Sequence, residues 1–325
     1  MKPKLGFLGV GWIGRHRLLA IHEAATADIV AVADSSAEAA AQAAESVGAE
    51  VVEPEMLTGA DIDLDGLVIA TPSALHAEQA TAALDAGRAV FCQKPLGRTA
   101  AECEAVVATA RRVDRLLDVD LSYRHLRAVA QMREVIAVGG IGRVYAADLV
   151  FHNAYGPDKG WFLDAGLSGG GCVIDLGIHL VDLALWMLGG RGVADVQARL
   201  FAGGAPAAPG VVEDHAVARI DLTGGATLTL ACSWFLNAGC DAVIGATFHG
   251  THGAVALHNV DGSFYDFRAD LHRGTGTEVL ALPPDDWGGR AAVSWAQRLA
   301  GGAGFDPSVE ETVTVARVLD RIYGR

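Results

Sequence analysis

A short apolar run, Leu5 to Leu8, passes directly into Gly9-Val10-Gly11-Trp12-Ile13-Gly14 and then into a helical pattern. This is a G-x-G-x-x-G turn in its informative context, with a strand before it and a helix after it. Gly9 permits the tight turn, Gly11 lets the main chain approach a pyrophosphate, and Gly14 lets helix and strand pack closely. The helix N-terminus offers N–H groups and partial positive charge to phosphates. Trp12 and Ile13 occupy that first turn and join the three glycines as expected dinucleotide contacts. Downstream, Ile29 to Ala33 reads as a second buried strand ending in Asp34. An acid there can accept hydrogen bonds from both ribose hydroxyls and repels a 2′-phosphate, so NAD is expected over NADP, with Ser35 beside it.

Bulk properties exclude several alternatives. The chain of 325 residues is long enough for two domains with large cores. Its net charge is −14, with no basic block, so neither nucleic acid nor an anionic membrane surface is an expected partner. No apolar stretch is expected to reach the length of a membrane span. Glycines and then Arg15, His16 and Arg17 interrupt the N-terminal apolar residues, against a signal peptide. The five cysteines (Cys92, Cys103, Cys172, Cys232 and Cys240) are odd in number and show no C-x-x-C spacing. They read as buried thiols of a reducing, cytoplasmic compartment, with neither disulfides nor zinc.

Two rhythms divide the chain. Up to about residue 120, strand-like runs near 4–8, 29–33, 66–70, 89–92 and 116–119 alternate with helical patterns near 13–24, 36–47, 73–86 and 99–113. The strands are continuously apolar, as in a parallel sheet covered on both faces. Beyond it, a helix near 126–137, a strand near 142–153 and an apolar helix from Cys172 to Leu188 precede alternating segments at 193–202, 213–222, 226–235, 240–249 and 253–258. Helical patterns at 291–300 and 308–322 close the chain, and Gly203 to Gly210 reads as a loop. The expected architecture is an α/β Rossmann domain, residues 1–121. An α+β domain with a large, mainly antiparallel open sheet follows, residues 122–325, with the C-terminal helix able to pack back on the first. An open sheet buries poorly against solvent, so a homodimer or homotetramer through that face is expected.

Loops at the carboxyl ends of parallel strands line the ligand crevice, which brings in Thr71-Pro72, with Ser73 as a helix N-cap, and Gln93-Lys94-Pro95. In the second half, Ser168 to Asp182 carries Asp175 and His179, one turn apart on an otherwise apolar helix. A buried carboxylate and imidazole are costly unless paired or used, and a histidine oriented by an acid is a natural proton shuttle. A structural Asp–His pair fits this helix equally well. Glu213-Asp214-His215 suggests a metal site, but within a strand adjacent side chains point to opposite faces, so no metal is expected.

These motifs together resemble the Gfo/Idh/MocA family, the glucose–fructose oxidoreductase and inositol dehydrogenase group, over essentially the whole chain. The resemblance is carried by the glycine turn, Thr71-Pro72 with His76, Lys94-Pro95, Tyr123-Arg124 and the glycine run leading to Asp175-x-x-x-His179. It implies an NAD-dependent dehydrogenase or reductase moving a hydride between nicotinamide and a secondary carbinol of a sugar, inositol or polyol. It implies that Lys94 orients the substrate hydroxyl and cofactor. His179 is then the general base in oxidation and general acid in reduction, and Asp175 holds His179 or a neighbouring hydroxyl. His76 and Gln93 join the expected cofactor contacts. Tyr123, Arg124, His152, Tyr155 and Trp161 join Asp175 and His179 as expected substrate contacts, the segment His152 to Trp161 lying over the pocket.

Two departures stand out. The family glutamate before the lysine is Gln93 here, so Lys94 loses a nearby negative charge and a shifted pH optimum is expected. His125 stands where phenylalanine commonly follows the arginine. Two other readings use the same fold: a redox-neutral sugar lyase or glycosidase that uses bound NAD transiently, and a non-catalytic dinucleotide-binding regulator.

Overall fold

The computed structural model describes residues 2–190 and 192–325. It divides into two units, one taking in the chain up to Ser122 together with Gly288–Val313, the other Tyr123–Trp287 with Thr314–Arg325.

In the first unit, six strands form a parallel sheet: β1 (Lys4–Leu8), β2 (Asp28–Ala33), β3 (Glu50–Val51), β4 (Gly66–Ile69), β5 (Ala89–Cys92) and β6 (Leu117–Val119), in the order β3-β2-β1-β4-β5-β6. Between them lie α1 (Trp12–Glu23), α2 (Ala37–Val47), α3 (Pro54–Thr58), α4 (Ser73–Asp85) and α5 (Ala100–Val113). The order reverses between β1 and β4, so the loops after these two strands flank the crevice where such sheets bind ligands. Each residue of β4 and β5 is buried, as the unbroken apolar runs require. The short β3 and α3 lie outside the expected pattern because two exposed edge residues and five helical ones show no periodicity.

The boundary expected at residue 121 leaves out one contribution to this unit, the segment with α9 (Arg290–Ala300). Trp295 on α9 is fully buried, its ring centroid 5.7 Å from that of Phe91 on β5. A Cβ on Gly66 would stand 2.8 Å from the Trp295 ring, so the glycine makes room for it. Together with Leu5, Phe7, Leu18 and Val68, this indole completes the core of the unit.

The second unit holds a nine-stranded sheet in the order β15-β14-β13-β12-β7-β11-β10-β8-β9. Its strands are β7 (Val144–Asn153), β8 (Val193–Ala202), β9 (Ala205–Pro206), β10 (His215–Leu222), β11 (Thr227–Ser233), β12 (Ala242–Gly250), β13 (Gly253–Asn259), β14 (Phe267–Arg273) and β15 (Gly276–Ala281). Every pairing is antiparallel except β7 with β11. Its helices are α6 (Arg127–Ala137), α7 (Ala165–Ser168), α8 (Ile178–Met187) and most of α10 (Glu311–Tyr323). Alternation decides which side chains reach the core. Ala216, Ala218, Ile220 and Leu222 of β10 are buried, while Val217 and Arg219 between them are exposed. The strands β14 and β15, and β9 within the expected Gly203–Gly210 loop, are additions to the sequence reading. Charged and histidine residues dilute β14, and β15 is mostly exposed.

One expectation is corrected outright. The helical run Ala165–Met187, 23 residues with an 18-residue window of mean hydropathy 1.5, does have the length and apolarity of a membrane span. It is instead a core helix, with Val173, Leu180, Val181, Leu183 and Ala184 buried in the second unit.

Candidate active site

In the first unit the glycine turn is built by close approach. Gly9 has φ +88°, and a Cβ there would stand 2.6 Å from the Ala70 carbonyl at the end of β4. A Cβ on Gly14 would stand 2.0 Å from the Gly9 carbonyl oxygen. Only glycine satisfies both. Gly11 caps α1 without a side-chain hydrogen bond; Trp12 is 62% exposed and Ile13 half-buried beside it. Asp34, at the end of β2, accepts hydrogen bonds from the Val10 N–H (2.7 Å) and the Ser36 N–H (2.8 Å), tying the β2 loop to the glycine turn. Ser35 is exposed next to it. A glycine cradle, an uncapped helix start and an acid at the neighbouring strand end fit a dinucleotide.

Across the reversal point, His76 of α4 is almost fully buried, Nδ1 lying 2.6 Å from the Pro95 carbonyl and Nε2 2.7 Å from the Thr71 carbonyl. Both ring nitrogens are therefore spent on the main chain, and His76 acts on a cofactor only through the two loops it pins. Two carbonyl acceptors favour imidazolium, but burial foremost, with the Lys94 charge, pushes its pKa below the usual histidine value. Thr71 donates its hydroxyl to Gln79 (2.6 Å), and Pro72, not Ser73, occupies the N-cap of α4. Lys94 and Gln93 are half-buried after β5. The Gln93 carbonyl accepts from the Lys94 main-chain N–H (3.1 Å), and its amide donates to Asp120 (2.9 Å).

In the second unit the glycine run opens a helix that starts with a π-turn, Val173–Gly177, and continues as α8. From Ser168 to Leu185, Asp175 and His179 are the two residues that are half-buried; all others are buried. Asp175 accepts from the Trp234 indole N–H (3.1 Å). His179 packs against Tyr123 (ring centroids 5.0 Å) and Phe151 (6.4 Å).

The start of this helix rests on Glu213, which the sequence brought up only as a candidate metal ligand. Glu213 is buried before β10, outside the strand to which it was assigned. It accepts from the N–H groups of Gly171 and Val173 (2.9 Å each) and from the Tyr323 hydroxyl (2.8 Å). A Cβ on Gly171 would stand 1.8 Å from the Glu213 carbonyl oxygen, which explains a glycine there. Burial raises the Glu213 pKa, and the three donors oppose the shift. Asp214 turns away to accept from the Gly203 N–H (2.7 Å), and the described residues hold no cluster of three metal-binding side chains.

Several expected substrate contacts have other partners. Tyr123 is buried among His179, Phe151, Phe267 and Trp287, and burial raises its hydroxyl pKa. Arg124 forms an ion pair with buried Asp182 of α8 and lies 5.5 Å from the Trp186 ring. His152 points to the open face of the sheet, bonded to the Ser233 hydroxyl (2.7 Å) and stacked on His215 (6.0 Å). Burial and His215 lower its pKa. Tyr155 is half-exposed near Phe264. Trp161 stacks on Phe162 (3.8 Å), which meets Trp234 edge-on (6.4 Å), so this aromatic reaches the Asp175 partner in two steps.

The alternation that removes His152 from this face brings in Asn153. It is about nine-tenths buried, on the same face of β7 as Phe151, and its Oδ1 meets no hydrogen-bond donor among the described residues. Tyr323, Trp234 and Asn153 were legible only as types compatible with their elements, and Glu213 stood out only as part of a run weighed for metal.

Residues 4–121 match the oxidoreductase family with an NAD-binding Rossmann fold, GFO_IDH_MocA, and residues 129–256 match the GFO/IDH/MocA C-terminal domain. The chain belongs to this family. It is 36% identical to 1,5-anhydro-D-fructose reductase of Ensifer adhaerens over 56% of each chain, a little over half that reductase's length. It is 30% identical to D-glucoside 3-dehydrogenase of Escherichia coli (strain K12), over 78% of this chain and 74% of that one. The fold is similar to that of a levoglucosan dehydrogenase solved with NADH and levoglucosan (TM-score 0.85, 23% identity, 100% of this chain and 97% of the other).

Proposed function

We propose that this chain is an NAD-dependent oxidoreductase acting on a secondary carbinol of a sugar, inositol or related polyol. The observation that carries the reading is that Asp175 and His179 are the two half-buried residues in the otherwise buried stretch from Ser168 to Leu185 of the second unit, while the first unit carries a glycine cradle of dinucleotide type. Gly9, Gly11, Trp12, Ile13, Gly14, Asp34, Ser35, Thr71, Pro72 and Gln93 would hold the dinucleotide, with Asp34 favouring NAD. When bound, the nicotinamide supplies the hydride acceptor or donor. Lys94 is the group the first unit contributes, orienting the carbinol hydroxyl. His179 takes the hydroxyl proton in oxidation and returns it in reduction; Asp175, fixed by Trp234, orients His179 or a neighbouring hydroxyl. Asn153 offers an acceptor to a substrate hydroxyl. The relatives that reduce or oxidise anhydrosugars and glucosides favour this substrate class. None of the five cysteines is in a disulfide and four are buried, in keeping with a cytoplasmic enzyme, and the open sheet face would pair copies into a homodimer or homotetramer.

The test is absorbance at the reduced-nicotinamide band with NAD, then NADP, across a polyol and aldose panel, with Lys94→Ala alongside. Signal with NAD that vanishes in the variant is expected. Tight NAD binding with no net absorbance change on any substrate would shift the reading to the redox-neutral lyase.

A further inference from the structure

Gln93 sits between two partners of opposite demand. On one side is the Lys94 main-chain N–H, which can only donate; on the other is the Asp120 carboxylate, which accepts. Asp120 is fully buried, and the oxygen that faces Gln93 also accepts from Arg17 Nε at 2.6 Å. Its second oxygen accepts from the Ser122 hydroxyl, which in turn accepts from Arg17 (3.1 Å). His16 Nδ1 lies 3.0 Å from Arg17. The ion pair is thus a fixed, fully bonded anchor linking α1 to the end of β6, and it sets the direction of the Gln93 carboxamide.

We propose that Gln93 is a positioning residue for Lys94, holding its main chain through the buried Arg17–Asp120 pair, and that this position requires an amide and excludes a carboxylate. The proposal rests on the reading that Lys94 serves the reaction. The Lys94 main chain is held from both directions: Gln93 takes its N–H, and His76 reaches the carbonyl of the next residue, Pro95. The main chain that carries the lysine is thereby fixed. A glutamate at 93 could still accept the Lys94 N–H, but its other oxygen would face the Asp120 oxygen that already holds Arg17. Two ionised carboxylates at that distance repel, and the contact is restored only when one of them takes up a proton. Installing the family's glutamate in this chain should therefore impair it, since Asp120 already supplies the anion here.

The experiment compares wild type, Gln93→Glu, Gln93→Met, Asp120→Asn and the Gln93→Glu/Asp120→Asn double variant for kcat per folded site, KM, NAD dissociation constant and melting temperature. Gln93→Glu is expected to lose about tenfold in kcat near neutral pH, because an ionised acid replaces a donor. Its kcat relative to wild type and its melting temperature should recover on acidification, as a shared proton restores the donor. His16, Cys92 and Lys94 also face the cluster, and all variants retain them, so their titration cancels in the ratio. Gln93→Met should lose kcat without that pH dependence. Asp120→Asn leaves Arg17 unpaired, and the double variant, with one carboxylate restored, should outperform both singles. A Gln93→Glu enzyme matching wild type in kcat and melting temperature across pH overturns the proposal, as does a Gln93→Glu loss confined to melting temperature. If wild type shows no turnover, the role of Lys94 fails, while the melting and pH measurements still decide whether position 93 requires an amide.

Discussion

The two units place functional groups by opposite means. In the first, the site is mainly backbone: Gly9 and Gly14 matter for the atoms they lack, and the exposed start of α1 offers main-chain N–H groups. In the second, the site is side chain on a buried helix, with Glu213 under its N-terminus, Trp234 on Asp175 and Tyr123 against His179. A backbone site is written in local sequence. A side-chain site held by distant partners depends on residues 40 to 149 positions away in the chain.

The contrast is broken most sharply by lesions in each unit. Gly14→Val should abolish NAD binding, because its Cβ has no space, whereas His179→Ala should keep NAD affinity and lose about 10²–10⁴-fold in kcat. Isothermal titration with NAD beside steady-state rates separates the two, and loss of NAD binding in His179→Ala would erase the distinction.

A smaller effect tests the support under the second site. Glu213→Gln sets an amide donor against a main-chain N–H, costing roughly 1–3 kcal/mol. It should lower kcat and melting temperature together, with Tyr323→Phe milder because it removes one of three donors. Asn153→Ala should raise KM for the preferred sugar by about tenfold with kcat less affected, as one hydrogen bond of about 1 kcal/mol or more is lost. An unchanged KM would exclude Asn153 from substrate contact.

The smallest effect concerns pH. His76 has its folded-state pKa lowered by burial, so the stability it contributes is present above the unfolded value, about 6.5, and is lost as pH falls through the folded one. Melting temperature should therefore decline on acidification below about pH 6.5. His76→Gln should remove that part of the slope, and an identical slope in the variant would exclude it.

The parallel sheet was legible because unbroken apolar runs such as Gly66–Ile69 and Ala89–Cys92 have one stable environment, a sheet covered on both faces. Asp175 and His179 stood out because two polar groups on an apolar helix are costly to bury, and both are half-buried there. His152 and Asn153 point to opposite faces of β7 for one reason. Adjacent strand residues face opposite sides, and sequence at the end of a strand does not tell which side is covered.

The sequence by itself determined the local elements: the glycine turn with its acid, the paired rhythms of the two halves, and the positions of Lys94, Asp175 and His179 along the chain. Each depends on neighbours within a few residues, where sterics and periodicity act directly. Tertiary structure decided the rest. It moved α9 onto the first unit, set Glu213 beneath the helix that carries Asp175, and put Asp120 beside Gln93. Those contacts join residues far apart in sequence, and burying a charge there is tolerable only once its partners are brought to it.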